Sequence, residues 1–369
     1  MKQRMIAGLV SGVLVVGAVA ASAGEAIAAP SWQFALGQAP TGLTTGGQLA
    51  LDEGRSAFFI TNNTYPVDTE RGISFPDARP RVGVFSTRAQ RPVRTIDLSG
   101  QPDGTAKVGP LRVPMAQIPD GIALDTVHSR VVTTNAHTDS ISVFGMDARS
   151  VGPANLIRVP GGHPMGAATD NAGRAWVSLY SQDKIAVIDT AARRIVSTIS
   201  SFHPTLVAYD AARHRLYVGN NDYYGKKRNF LTVVDTTTNT VVKRIPMTQN
   251  ARPAVDPSTG RIYTASFISG RVAVVDPSTL TVTRSVSTGS TPSSIVVDAQ
   301  RRLVYATTLK KKTLIVLHAD TLAPVATMRI PSEVHTLAID PRTGWVYGTQ
   351  NGTSAMLVVR PGQGGTGRP

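Results

Sequence analysis

The sequence predicts an all-β chain: a seven-bladed β-propeller of four-stranded blades, closed by the N-terminal strand pairing in the last blade. Three observations predict this. A unit ending in an aspartate recurs along the chain, its strands are apolar on both faces, and an orphan strand near the start matches a missing strand near the end. Composition agrees, with Val, Ile and Thr dominating the apolar runs, 33 Gly and 24 Pro supplying turns, and only 6% aromatic residues.

The repeat anchors are Asp52, Asp125, Asp170, Asp210, Asp256, Asp298 and Asp340. They stand about 40–46 residues apart, with one longer step after Asp52. A short apolar strand follows each anchor, as in Phe58-Phe59-Ile60-Thr61-Asn62, Leu216-Tyr217-Val218-Gly219-Asn220 and Val304-Tyr305-Ala306-Thr307. A second strand ends in Asp189, Asp235 or Asp276, and a further strand such as Ile195 to Ile199 completes the unit. Strands without a polar face need a neighbour on each side, which stacked blades provide. Asp256-Pro257-Ser258-Thr259-Gly260 and Asp340-Pro341-Arg342-Thr343-Gly344 read as hairpin turns. There Asp bonds the backbone, Pro presets φ and Gly takes positive φ, so the anchors are structural.

The last unit stops after Leu357-Val358-Val359 without a fourth strand, while Trp32 to Gly37 has no unit of its own. Pairing the two completes the ring and removes the open edge. The expected organisation is therefore a leader over 1–29, a propeller over 30–360 and a flexible Gly-rich tail over 361–369.

The leader combines a basic start, Lys2 and Arg4, with an apolar run from Met5 to about Ala20 and small residues before Ala23, Ala28 and Ala29. This is the pattern of a cleaved secretory signal, with cleavage expected at one of those three alanines. The mature protein is expected to be secreted, extracellular or in the cell envelope (periplasmic where an outer membrane exists), monomeric and without membrane insertion. With no cysteine in the chain, no disulfide holds the fold.

The strand pattern around Leu216-Tyr217-Val218-Gly219-Asn220-Asn221, the next strand ending in Asp, and a Gly/His-Pro turn before the following unit resemble the YVTN-type (YncE-like) exported β-propeller repeat family. The resemblance covers nearly the whole mature chain and implies the propeller fold, but its members differ in function. The chain departs from the family pattern in long insertions at 62–81 and 97–118.

In a propeller the inter-blade loops and the middle hairpin loops share one face around the channel. Counting back from the anchors places Asp120, His163, His203, Glu333 and His335 on that rim. Imidazoles and carboxylates there suit a divalent metal as cofactor, or a general acid and base. The reading preferred over these is that of solvated loop residues, with His163 and His203 stacked beside Pro164 and Pro204. His128, His137, His214 and His318 fall on turns or strand ends without a pattern.

The net charge is +14. Lys226, Lys227 and Arg228, with Tyr223 and Tyr224 beside them, fall in the middle loop of blade four, and Lys310, Lys311 and Lys312 in that of blade six. Arg71, Arg79 and Arg81 join them from the first insertion, whereas Arg193-Arg194, Lys243-Arg244 and Arg301-Arg302 are expected on turns facing elsewhere. The first reading is a binding or scaffold module that holds an anionic partner, whether cell-wall polymer, nucleic acid or acidic protein, on this face. The second is a lactonase- or lyase-type propeller enzyme using the rim His and carboxylates, with or without metal. A third is a partner subunit for a redox enzyme, which would need its cofactor on another chain, since no Cys-x-x-Cys-His is present.

Overall fold

The structure, a computed structural model, describes residues 32–62, 67–68, 73–74, 79–108, 111–222, 229–247, 250–350 and 352–363. Seven four-stranded antiparallel sheets follow one another along the chain. Blade one is Gly46–Asp52, Ala57–Asn62, Arg81–Ser86 and Arg91–Asp97, innermost strand first. Blades two to seven begin with the inner strands Ile122–Asp125, Pro164–Thr169, Pro204–Asp210, Ala251–Val255, Pro292–Asp298 and Val334–Asp340. In blade seven the outermost strand is Trp32–Pro40, paired antiparallel with Ala355–Gln363 from Trp32 opposite Gln363 to Pro40 opposite Ala355. The ring closes as expected, and the closing strand runs three residues beyond Gly37. Pro361, Gly362 and Gln363, expected to begin the flexible tail, instead belong to that pairing. Residues 364–369 and the leader over 1–29 lie outside the described residues.

Each of the seven blade junctions holds one apolar cluster. Alternation along a strand decides which neighbour a side chain meets. Leu216 and Val218 pack toward blade three, while Tyr217 between them packs toward blade five. The aromatic of the repeat faces the next blade in this way in Phe59, Trp176, Tyr217, Tyr263, Tyr305 and Tyr347. Directly across the blade from these six stand Ala50, Ala168, Ala208, Ala254, Val296 and Ala338, each two residues before an anchor. A small residue there leaves room for the ring. Burying one such ring stabilises by about 1.5–3 kcal/mol.

The polar ends of the rings staple blade to blade. Tyr263 Oη donates to Ala319 O (2.9 Å), Trp176 Nε1 to Asn239 Oδ1 (3.0 Å), and Tyr347 Oη accepts from Gln90 Nε2 (2.6 Å). Each partner sits in the turn between the third and fourth strands of the next blade. Blade seven has no such turn, because those two strands come from opposite ends of the chain, and two buried hydroxyls, that of Tyr305 facing it and that of Tyr217 facing blade five, have no hydrogen-bond partner among the described residues. Burial drives the Tyr305 pKa up, and burial likewise pushes Tyr217 up to about 12. On the opposite rim Thr61 and Thr134 donate to the carbonyls of Asp120 (3.0 Å) and Met165 (2.6 Å) in the following blade, and Thr349 to Gly47 in blade one. Asn at the end of the second strand clamps the loop beyond it: Asn62 Nδ2 donates to Arg79 O (2.9 Å), and Asn220 Oδ1 accepts from Phe230 N (2.8 Å). Aromatic, Thr and Asn thus each have a separate mechanical role in the repeat.

The anchor aspartates are structural, as expected. Asp52, Asp125, Asp210 and Asp298 accept the amide three residues on, and Asp170, Asp256 and Asp340 the amide two residues on. All but Asp170 are buried. Arginines from the same turns reach onward: Arg55 to Asp147 (3.0 Å), Arg213 to Thr259 O (2.9 Å), Arg301 to Thr343 O (3.0 Å) and Arg342 to Ser56 (2.6 Å). Burial opposes ionisation of Asp256, but bonds from Ser258, Arg302 and Thr259 outweigh it and hold the pKa at about 2. Lys243 and Arg244, expected on a turn, lie within the outer strand Thr240–Pro246.

Gly260 and Gly344 combine positive φ (+73° and +70°) with a close approach, since a Cβ would meet the Arg213 or Arg301 guanidinium at 2.0 Å. Gly161 has nearly the same φ, +71°, with nothing near its missing side chain. We expect Gly260→Ala to lose about 1–3 kcal/mol more than Gly161→Ala in urea unfolding, because only the former displaces the inter-blade arginine. Equal losses would show that the arginine contact contributes nothing.

Candidate functional site

Antiparallel pairing puts the turn after each first and third strand on one rim, here called lower, and the inter-blade links with the middle loops on the upper rim. Turns Ala136–Thr138 of blade two and Tyr180–Gln182 of blade three end in left-handed aspartates, Asp139 (φ 50°) and Asp183 (φ 54°). Each carboxylate reaches the loop entering the next blade. Asp139 accepts the amides of Gly161 (2.9 Å) and His163 (2.8 Å), and Asp183 accepts that of His203 (2.8 Å). His163 and His203 have φ of 45° and 34°. A left-handed residue just before proline is strained, by about 1–3 kcal/mol, and the aspartates hold it there.

This geometry lines up five rings across blades two to four. His137 meets His163 edge-on at 5.7 Å, His163 meets Tyr180 at 6.0 Å, and His203 stacks between Tyr180 (4.8 Å) and Phe202 (4.2 Å). His203 Nε2 lies 3.7 Å from Asp183 Oδ1. Burial and the neighbouring His137 lower the His163 pKa, against the pull of Asp120 and Asp139. Asp120 Oδ2 accepts the Ala136 amide at 2.9 Å, tying the link into blade two to the turn that carries His137.

The structure therefore groups His163, His203 and Asp120 on one arc but not with His335. His335 is exposed at the second position of the inner strand of blade seven, where the charge acting on it is that of Arg252 of blade five. Glu333 is half-buried in the loop before it. Among the described residues no three His, Asp or Glu side chains are placed to hold a metal ion. His137, read from sequence as patternless, and Tyr180 and Phe202 join the arc. The sequence signal for His137 and Tyr180 is the aspartate that closes each of their middle turns, Asp139 and Asp183.

Lys310, Lys311 and Lys312 are all exposed on the middle turn of blade six, Lys312 with φ 48°. Arg79 and Arg81 lie on the same rim. Tyr223, Tyr224, Lys226, Lys227, Arg228 and Arg71 lie outside the described residues. The insertion at 97–118 carries the hairpin Gly104–Val108 and Leu111–Met115. It is fastened to blade two through buried Gln101 and Gln117, which accept hydrogen bonds from Ser142 (2.9 Å) and Thr138 (2.7 Å).

No protein-family model matches the chain. It is similar to the uncharacterized protein YncE of Salmonella typhi and of Salmonella typhimurium, 21% identical over 199 residues that cover 50% of this chain and 55% of each relative. It is 33% identical over 137 residues to the seven-bladed β-propeller protein Rv1057 of Mycobacterium tuberculosis, covering 35% of this chain and 33% of that protein. The chain thus spans about half the length, or less, of the curated relatives it matches. The Myceliophteria thermophila Cps50 (Swd1) β-propeller domain superposes with a TM-score of 0.64 at 9% identity, over 85% of this chain and 96% of that one, a likeness of fold alone.

Because the folded pKa of His163 lies below its unfolded value near 6.5, the unfolded chain takes up this proton first as pH falls. Stability should then decline from about pH 6.5 down toward the folded pKa, and His163→Gln should flatten that part of the curve. Urea unfolding at several pH values checks this; identical slopes in the two proteins would rule out His163 as the source.

Proposed function

We propose that this protein is a non-catalytic binding propeller of the cell exterior that holds an anionic polymer on its upper face. The observation that supports this reading is how its positive charge is distributed. Among the described residues every Arg–Asp ion pair lies at the lower rim, where Arg55, Arg94, Arg213, Arg215, Arg261, Arg301, Arg302 and Arg342 meet Asp52, Asp147, Asp210, Asp235, Asp320, Asp298, Asp256 and Asp340. The charge of these eight arginines is consumed inside the molecule. Lys310, Lys311 and Lys312 form no ion pair among the described residues and stand toward solvent on the upper rim. Unpaired surface lysines release counterions when they meet a polyanion, which favours association at low salt. The half-exposed ring arc on the same face adds a surface for uncharged parts of the polymer.

Retention on a polyphosphate or dextran sulfate matrix should fall steeply with salt. Replacing Lys310, Lys311 and Lys312 together with Gln should reduce the log–log salt slope by about 2. Arg302→Gln, on the lower rim, should cost stability without changing the slope. Retention indifferent to salt, or an unchanged slope in the triple variant, would overturn the proposal.

A further inference from the structure

Inside the ring the inner strands enter the channel irregularly. Blades one, three, four, six and seven each break register at the upper end of the inner strand, at Gly46/Leu49, Pro164/Ala167, Pro204/Val207, Pro292/Ser294 and Val334/Thr336. In blade seven the single residue skipped is His335. A bulge re-aims the side chain it carries, and His335 is exposed although the seven inner strands surround it. Blade five keeps its register, with Arg252 at the matching second position. Arg252 reaches across to the Ser293 carbonyl of blade six through Nη1, and its guanidinium lies 5.6 Å from the Phe267 ring centre. Blade six is joined in turn to blade seven, where the Leu337 amide donates to Ser294 Oγ at 2.8 Å. Blade six thus stands between the two basic side chains, and the charge of Arg252 acts on the His335 ring.

We propose that the upper mouth of the channel is a binding site for a small oxyanion of the phosphate, sulfate or carboxylate class, held between Arg252 and His335. Arg252 supplies a fixed charge and a planar set of N–H donors, and the imidazole supplies a further N–H. Enclosure by protein and the charge of Arg252 together push the His335 pKa down to about 4. Among the described residues the charge that acts on the ring is that of Arg252. An anion between the two groups would remove that repulsion. The site does not depend on polymer binding at the outer rim.

The test is an NMR titration of the His335 ring, assigned by its loss in His335→Gln, with inorganic phosphate as probe. Without phosphate the ring should titrate near 4, and phosphate should raise that value by about one unit, equivalent to about tenfold tighter anion binding to the protonated form. Arg252→Gln should raise the phosphate-free value and abolish the response. At neutral pH, phosphate should also raise the thermal midpoint of the wild type more than that of either variant, which keeps the test open if Arg252→Gln is too unstable at low pH. A polyphosphate chain acting where free phosphate does not would still support the oxyanion site and assign the group to a polymer end. If neither probe moves His335, or if both shift all the imidazoles alike, the site does not exist.

Discussion

The structure depends on the contact between one blade and the next. A sheet that is apolar on both faces is stable in water only between two others, and a row of such sheets is satisfied throughout only when it closes on itself. Here each junction is one apolar cluster, joined near the lower rim by aromatic staples and near the upper rim by threonine hydroxyls. The closing strand Trp32–Pro40 belongs to this scheme, since its Trp32, Phe34 and Leu36 pack into the cluster between blades six and seven. It joins residues more than 300 apart in sequence by an ordinary β-ladder. In a chain without cysteine this pairing does the work a disulfide does elsewhere.

The two rims have different chemistry because they have different tasks. On the lower rim the repeat itself dictates the residues: a buried aspartate closes each turn, and arginines carry the contact to a neighbouring blade. The ion-paired arginines there are part of the fold. The upper rim is formed by links and middle loops that vary from blade to blade, so its residues are not held to one structural role. The insertion at 97–118 is the clearest example, an added hairpin fixed over blade two by buried glutamines.

The features that stand out functionally are particular residues placed at strained or bulged points of the blades. His163 and His203 occupy left-handed backbone that the other links do not ask of a histidine, and a side-chain carboxylate from the preceding turn holds each one. His335 stands in a bulge that five of the seven inner strands share, and in that bulge it is the one histidine. Strain of this kind persists only where its surroundings enforce it. At these places the propeller presents imidazoles and guanidinium groups in arrangements the regular repeat does not produce.

The blade number, the ring closure and the role of the anchors were legible in the sequence, because each follows from a pattern repeated seven times and from the need to bury both faces of every strand. The rim positions of His163, His203 and Asp120 were legible too, since equal distances from the anchors mark equal heights in the blades. What company those residues keep was decided by the tertiary structure. The ring arc exists because left-handed turns swing His163 and His203 toward Tyr180, and His335 comes under the charge of Arg252 where a bulge re-aims it. Neither event changes the residue count between anchors, so a sequence read by spacing alone places these side chains at the right height but not beside the right neighbours.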